Sequence, residues 1–449
     1  MFKKLTQASV KLVQNYLPDP FLFAVILTLI VFLGGMVVTS QGPLEMILHW
    51  GNGFWGLLTF SMQMALVLVT GHTLASTKIV KSALVALAKP CKTPLQAIMA
   101  VTFVSGVACW INWGFGLVVG ALYARQLAKH VKGVDYRLLI ASAYSGFLVW
   151  HAGLSGSIPL LLATPGATLE AATKGAVTSP ISTSFTIFST YNLIIVGVLL
   201  FTMPLLTRAM HPSKENVYEI DPKLLEDEVV EAKVSVVTFA DKLENSFILS
   251  LVIGAMGLAF IGYYFATSGF QLNLNIVNFI FLFLAIILHK TPRQFLNAVN
   301  IAAKGTAGII IQFPFYAGIM GMMVGASAVT GLSFAGVISH WFVSISNQTT
   351  YPLFTFLSAG IVNIFVPSGG GQWAVQAPIM MPASVELGVD TAKTAMAIAW
   401  GDAWTNMIQP FWALPALAIA KLDARDIMGY CLIILIYSGV VISLGFLFL

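Results

Sequence analysis

The sequence predicts an all-α polytopic membrane protein built from two inverted-topology repeats, with re-entrant hairpins and broken helices. Three observations predict it. Of 449 residues, 58% are hydrophobic and 9% are charged; long apolar runs follow one another along the chain; and two interrupted runs share a weak internal repeat. Soluble domains carry roughly 25% charged residues, so a soluble enzyme of this length is excluded, and the apolar runs are expected to face lipid.

The apolar runs fall into two classes. Those that come close to the roughly 20 apolar residues of a helical span are 21–39, 54–74, 185–207, 247–267, 305–327 and 427–447, together with the shorter 276–289. Those that Gly, Pro, Asn or Ser interrupt near the middle are 95–127, 138–164, 352–386 and 392–420. Interrupted runs indicate hairpins or broken helices rather than straight spans.

The distribution of lysine and arginine predicts the orientation of these segments. Lysines near the start place the N-terminus in the cytoplasm, and basic residues on both sides of 95–127 make that segment a hairpin that opens inward. Glu386 and Asp390 flank 352–386, so the second hairpin is expected to open outward. The predicted divisions are a first repeat at 1–207, a cytoplasmic polar linker at 208–245, and a connecting span with the second repeat at 246–449.

A shift of 256 residues aligns 112–163 with 368–419 without a gap. The interruptions coincide: Asn112-Trp-Gly lies opposite Ser368-Gly-Gly, and Pro159 lies opposite Pro415. Two halves of opposite orientation with discontinuous helices are the architecture of secondary transporters, whose binding site lies where the broken helices meet. The repeat therefore predicts transport.

The two hairpin tips are expected to be unwound chain around a binding site. Segments 112–116 and 363–372 are rich in glycine, which lets backbone approach a ligand, and a helix that starts after each tip directs free N–H groups at the same place, which suits an anion. Close helix packing is the alternative role for these glycines. The predicted substrate-binding residues are Asn112, Gly114, Asn363, Ser368, Gly369, Gly370, Gly371, Asn406 and Gln409.

Asp402 is a carboxylate in an apolar run, where an ionisable residue is by default a functional candidate. Asn406 and Gln409 follow at i+4 and i+7, so the three side chains are expected to share one helical face. A proton or a sodium ion would neutralise Asp402. A purely structural carboxyl, held by amide and backbone donors, is the alternative.

His151 lies at the interruption of 138–164, with Ser155 close behind it. His151 is a candidate proton carrier, and both residues are predicted to take part in coupling; a packing histidine is the alternative. Gly153-Leu-Ser155-Gly also matches a short pattern of intramembrane serine proteases, for which a serine packing motif is the better interpretation. No nucleotide-binding or HExxH motif is present, so transport energy is expected to come from ion or substrate gradients.

Seven longer runs along the chain are Leu17–Pro20, Gly51–Trp55, Met62–Ala65, Ile111–Gly120, Gln312–Gly318, Val366–Gly371 and Gln409–Pro415. These runs resemble the bacterial short-chain fatty acid transporter family, which includes acetoacetate and butyrate uptake members, and the resemblance covers nearly the whole chain. That family looks like a branch of the ion-transporter superfamily, whose dicarboxylate carriers hold substrate and sodium between two hairpin tips and move as an elevator. The resemblance implies that Asn112, Gly114, Ser368, Gly369 and Gly370 hold carboxylate and cation.

We therefore expect a secondary transporter, not an enzyme, that moves short monocarboxylates such as acetate, butyrate or acetoacetate by proton- or sodium-coupled alternating access. An exchanger of dicarboxylates, amino acids or cations on the same scaffold, and an intramembrane hydrolase that uses Ser155 with His151, are the alternatives. No cofactor, no metal site and no nucleic-acid partner is expected, apart from H+ or Na+ as coupling ion. The expected location is the bacterial cytoplasmic membrane, as a multi-pass protein, and a homo-oligomer is compatible with the sequence.

Overall fold

The computed structural model describes residues 2–163, 167–225, 238–269 and 274–449, and these contain helices, turns and no strand. The helices of the first half are α1 (Phe2–Tyr16), α2 (Pro20–Thr39), α3 (Pro43–Gly53), α4 (Leu58–Ala75), α5 (Lys78–Ala88), α6 (Pro94–Ile111), α7 (Trp113–His130), α8 (Tyr136–Tyr144), α9 (Ser157–Ala163), α10 (Ala167–Ala172) and α11 (Thr190–Ala209). A 3-10 segment, Ser145–Ala152, follows α8.

The remaining helices form the second half of the chain. Its members are α12 (Phe239–Glu244), α13 (Phe247–Ser268), α14 (Leu274–His289), α15 (Pro292–Ala303), α16 (Ala307–Val324), α17 (Phe334–Ser344), α18 (Tyr351–Phe365), α19 (Gly369–Glu386), α20 (Thr391–Thr405), α21 (Pro410–Ala420) and α22 (Ala424–Phe448). Shorter 3-10 segments are Lys214–Asn216, Pro222–Leu225 and Asn406–Ile408. Of the predicted linker, residues 226–237 lie outside the described residues.

Seven of the described segments are long and apolar enough to cross a membrane, so the chain is an all-α, multi-pass membrane protein as predicted. They are Phe21–Thr39, Pro94–Ile111, Tyr136–Ala163, Thr190–Ala209, Phe247–Ser268, Ala307–Val324 and Ala424–Phe448. Two predicted spans begin too early: residues 54–57 are turns before α4, and residues 183–188 are turns before α11. Apolar residues in turns extend a hydropathy run without extending the helix.

The hairpin tips contain far less unwound chain than predicted. Asn112 alone separates α6 from α7, and Val366, Pro367 and Ser368 separate α18 from α19. Asn363 and Gly369–Gln372 are therefore helical, and so are Trp113–Gly116. A first helical turn tolerates glycine well when a side chain caps it, because its N–H groups have no partner inside the helix.

Both broken helices start at an aspartate and then run in opposite directions. Asp135 accepts the Leu138 N–H at 2.8 Å and Asp390 accepts the Lys393 N–H at 3.0 Å, as N-caps do. The Tyr136 hydroxyl, at the start of α8, donates to the carbonyl of Ala420 at the end of α21 (2.9 Å). Tyr144, one helix length later, donates to the carbonyl of Asn406 (2.6 Å), so the two broken helices are antiparallel.

The packing of the two halves also matches. Helix α6 packs along α8 and its 3-10 continuation as α18 packs along α20; α2 and α3 pack on α16, whereas α14 and α15 pack on α4. Helices α7 and α19 are 18 residues each and start 256 positions apart. The inverted relation of the halves, and the proposed repeat boundaries, stay predictions, which these exchanged contacts support.

Candidate functional site

The two hairpin tips present the same helix cap. Asn112 (φ −154°, ψ 123°) accepts the Phe115 N–H through Oδ1 at 3.0 Å, and Ser368 (φ −154°, ψ 117°) accepts the Gly371 N–H through Oγ at 3.3 Å. Each of these oxygens therefore already accepts one backbone hydrogen bond. The Ser368 hydroxyl still carries a hydrogen that it can donate to an anion.

The second tip rests directly on His151. A Cβ added to buried Gly369 would lie 2.8 Å from the Cε1 atom of His151 and 3.1 Å from Ser157 Cβ, so only glycine fits. The next residue differs: Gly370 is exposed, and a Cβ there would meet nothing within 4 Å. Gly369 therefore permits close packing, which is the alternative role named for these glycines above. Gly370, in contrast, faces open space at the start of α19.

His151 and Asp402 form a fully buried pair that joins the two halves. The His151 Nδ1 atom lies 2.9 Å from Asp402 Oδ2, and both side chains are 0% exposed. The backbone N–H of Ile158 donates to His151 Nε2 at 3.1 Å. Because a backbone N–H only donates, Nε2 is the acceptor and Nδ1 carries the hydrogen that points at Asp402. The geometry thus fixes a neutral imidazole in one tautomer.

Asn363 of α18 gathers the polar groups of the second break. Its Nδ2 atom, which carries two hydrogens, lies within hydrogen-bond distance of three acceptors: the Asp402 carbonyl (2.8 Å), Thr405 Oγ1 (2.9 Å) and Asn406 Oδ1 (2.7 Å). Gln409 reaches the same helix through the Asn363 and Ile364 carbonyls. The prediction of one shared helical face was wrong, because α20 ends at Thr405 and residues 406–408 are 3-10. The side chains lie close together because Asn363 contacts residues on both sides of the break, from Asp402 to Gln409.

Four buried polar atoms at this place have no hydrogen-bond partner among the described residues: Asp402 Oδ1, Asn363 Oδ1, Gln409 Oε1 and Asn406 Nδ2. Buried polar atoms are nearly always satisfied in native proteins, and exceptions mark sites for water, ions or ligands. Three of the four are oxygens. A group of atoms with mostly acceptor oxygens suits a proton, a small cation or ordered water better than a second anion.

Aromatic rings form the wall between the first tip and this polar group. Phe147 stacks on Trp150 (centroids 5.5 Å, 6° between planes), and Trp150 stacks on His151 (4.1 Å, 14°). Trp113 of the first tip meets Trp412 edge-on at 5.5 Å. Phe147 and Trp150 were not predicted from the sequence, because aromatic residues in a buried apolar run are ordinary core residues until the position of the helix break is known.

The remaining predicted residues lie at the first tip. Ser155 Oγ accepts the Trp113 N–H at 3.0 Å, and Trp113 stands between Asn112 and Gly114 in the chain. Ser155 is engaged as an acceptor and His151 Nε2 is occupied by Ile158. A hydrolase needs that nitrogen to take the serine proton, and the alternative of an intramembrane hydrolase has no support here.

The sequence of the chain matches a known protein family along its whole length. The family model described as short chain fatty acid transporter matches residues 1–449. A protein of Escherichia coli (strain K12) is 48% identical over 447 residues and a protein of Haemophilus influenzae (strain ATCC 51907 / DSM 11121 / KW20 / Rd) is 44% identical over 457 residues. Each alignment covers at least 99% of both chains, and both relatives carry the provisional name of short-chain fatty acid transporter.

Among solved structures, the YdaH transporter of Alcanivorax borkumensis aligns with 96% of this chain and 97% of its own, at 16% identity and a TM-score of 0.45. The sequence relatives are named as transporters, which supports a carrier and not an enzyme. Full-length identity of this level, with a family model that spans every residue, shows that the chain belongs to the short-chain fatty acid transporter family.

Proposed function

We propose that this protein carries short monocarboxylates across the cytoplasmic membrane by alternating access, and that Asp402 holds the coupling proton or sodium ion. The observation that supports the proposal most is the buried His151–Asp402 pair beneath Gly369. It joins the break of the first half, the break of the second half and the second hairpin tip. A change in the charge of Asp402 would therefore alter the contacts between these three elements, which alternating access has to move relative to one another.

The substrate carboxylate is proposed to bind at the second tip. The N-terminal turn of α19 offers N–H groups and the positive end of its dipole, which favour an anion. The Ser368 hydroxyl adds a donor, and Gly370 leaves open space where a headgroup can approach the backbone. The short acyl tail is proposed to lie against the aromatic wall, where Trp150 stacks on His151 and Trp412 lies 6.0 Å from Trp150 between ring centroids.

Coupling is proposed to occur at Asp402 Oδ1. A proton on His151 Nε2 would displace the Ile158 N–H, whereas Asp402 Oδ1 is buried and has no partner among the described residues. An anion entering a cell alone works against the inside-negative potential by roughly 2.3 kcal/mol per 100 mV. One bound proton or sodium ion removes this penalty, so the coupled carrier accumulates substrate.

The test is uptake of radiolabelled acetate, butyrate and acetoacetate into proteoliposomes under imposed proton or sodium gradients. We expect Asp402→Asn to lower gradient-driven accumulation at least about tenfold, which corresponds to 1.4 kcal/mol, while butyrate counterflow persists. Asp390→Asn is the matched control: it makes the same change on the same helix, and asparagine also caps helices. Unchanged accumulation and unchanged ion dependence in Asp402→Asn would remove the coupling role.

A further inference from the structure

A cavity lies away from the His151–Asp402 pair, between helices α4, α7, α15 and α21. Its volume is about 300 Å³, at the lower end of the roughly 300–1,000 Å³ of small-molecule sites. The apolar part of its lining is Leu68, Ile301, Ala302, Ala418 and Ile419. A ligand in it would be small and partly apolar.

Besides Gly305, the lining contains four basic side chains: His72, Arg125, Lys304 and Lys421. Arg125 is 3% exposed, with Nη1 at 3.5 Å from His72 Nε2, whereas Lys304 and Lys421 are exposed. The arginine therefore lies at the closed end and the lysines at the mouth. Arg125 and Lys421 also donate to two consecutive carbonyls of the linker, those of Leu225 (2.6 Å) and Leu224 (2.9 Å). Both side chains thus already bind backbone oxygens of adjacent residues.

Two helices lead from the central site to this cavity. α7 starts at Trp113 and α21 starts at Pro410, near the ring contact of Trp113 with Trp412. Arg125 is about 18 Å along α7 from that start, and Lys421 about 16 Å along α21, at 1.5 Å per residue. The lysine bias assigns this end to the cytoplasm. The cavity thus lies on the inner side, at the far ends of the helices that border the proposed substrate site.

We infer that this cavity is a second binding site, on the cytoplasmic side, for a short carboxylate with an apolar tail. Arg125 and Lys421 hold the carboxylate oxygens in place of the two linker carbonyls, Lys304 steers the anion at the mouth, and the tail lies along Leu68 and Ile419. In a carrier this site receives substrate after release from the center. The role in substrate release rests on the proposed function, whereas binding of a carboxylate in this cavity does not.

The experiment measures modification of a cysteine in the cavity of the full-length protein in detergent. Ala418→Cys places a thiol in the lining, on a Cys91→Ser background, because Cys91 is the half-exposed native thiol and Cys109 and Cys431 are buried. We expect an anionic methanethiosulfonate to react at least about tenfold faster than a cationic one at low salt, since basic side chains concentrate anions. We expect butyrate to slow the reaction and 1-butanol, which lacks the charge, to have no effect.

Variants at the mouth give the second measurement. Lys304→Gln and Lys421→Gln are each expected to raise the butyrate concentration needed for half protection about fivefold, as loss of a charge contact of about 1 kcal/mol does. Lys304→Arg and Lys421→Arg restore protection, and Lys89→Gln, an exposed lysine outside the lining, leaves it unchanged. Equal protection by 1-butanol, protection by inorganic phosphate but not butyrate, or no protection overturns the inference. This readout needs no transport, so loss of uptake alone contradicts only the proposed function.

Discussion

At the scale of the residue, Gly369 allows the sharpest test of how closely the second hairpin tip approaches the first half. Gly369→Ala would push a methyl group to 2.8 Å from His151 Cε1, and a buried ring on one side and a helix start on the other leave little room to relax. Overpacking of this kind typically costs about 1–3 kcal/mol. We expect butyrate uptake in proteoliposomes to fall at least about tenfold, because the tip no longer seats on the ring.

Gly197→Ala supplies the control for this substitution. Gly197 lies inside α11, and an added Cβ there meets nothing within 4 Å. Alanine is the better helix former by about 1 kcal/mol, so uptake should stay at the original level and thermal stability should not fall. Equal activity of the two alanine variants would contradict the close seating of Gly369 on His151.

At the scale of the element, the linker after α11 is held to the start of α8 by Asp135. Its two carboxylate oxygens accept the Leu138 N–H and the Tyr218 N–H, each at 2.8 Å. The Asp135 N–H in turn donates to His211 Nε2 at 3.3 Å, while the His211 Nδ1 atom lies 3.0 Å from the Pro212 carbonyl. His211 must therefore be neutral when the linker is docked, because a protonated Nε2 cannot accept.

This arrangement predicts that acidification releases the linker. Burial lowers the pKa of His211 and nearby Lys3 adds to the effect, although Asp135 opposes it. The undocked histidine then binds a proton at higher pH than the docked one, so docking weakens as the pH falls from about 6.5 through the lowered pKa. Burial raises the pKa of Asp135, and this acts with the opposite sign, since acidification favours the protonated docked form.

His211→Gln separates the two contributions, because glutamine accepts a hydrogen bond but does not titrate. We expect hydrogen exchange of the peptide that contains Tyr218, corrected for intrinsic rates, to speed up between pH 7 and pH 5.5 in the original protein. In His211→Gln, where Asp135 still titrates, it should stay level or slow down. The same acceleration in both proteins would assign the effect to another group.

The sequence predicted the elements of the candidate site better than it predicted the contacts between them. It identified both interruptions, because cap residues and glycine runs are local signals, and Asn112 and Ser368 each cap the helix that follows. It also selected His151 and Asp402, since ionisable side chains in apolar runs are conspicuous. Their direct contact spans 251 residues, and a pairing at that separation is set by the packing of whole helices. The length of the unwound tips was overestimated because glycine is common in loops and in capped first turns alike.

At the scale of the whole molecule, the antiparallel broken helices predict that α7 and α19 end on opposite sides of the membrane. Both start near the center, α7 at the first tip and α19 against His151. α7 ends near Arg125 and the basic cavity, beside the end of α21. If the halves are inverted, α19 must end on the other side. Exposed residues at the two ends, His130 and Glu386, report the sides directly.

Single cysteines at these positions, on the Cys91→Ser background, can be labelled with a membrane-impermeant maleimide. We expect Glu386→Cys to react in intact cells and His130→Cys to react only in inside-out vesicles, since lysine bias assigns the end of α7 to the cytoplasm. Both variants must retain butyrate uptake for the result to count. Labelling of both cysteines from the same side would mean that the two halves share one orientation. Both hairpins would then enter the membrane from the same side. Two such hairpins could not form one gate on each side of the membrane, which alternating access requires.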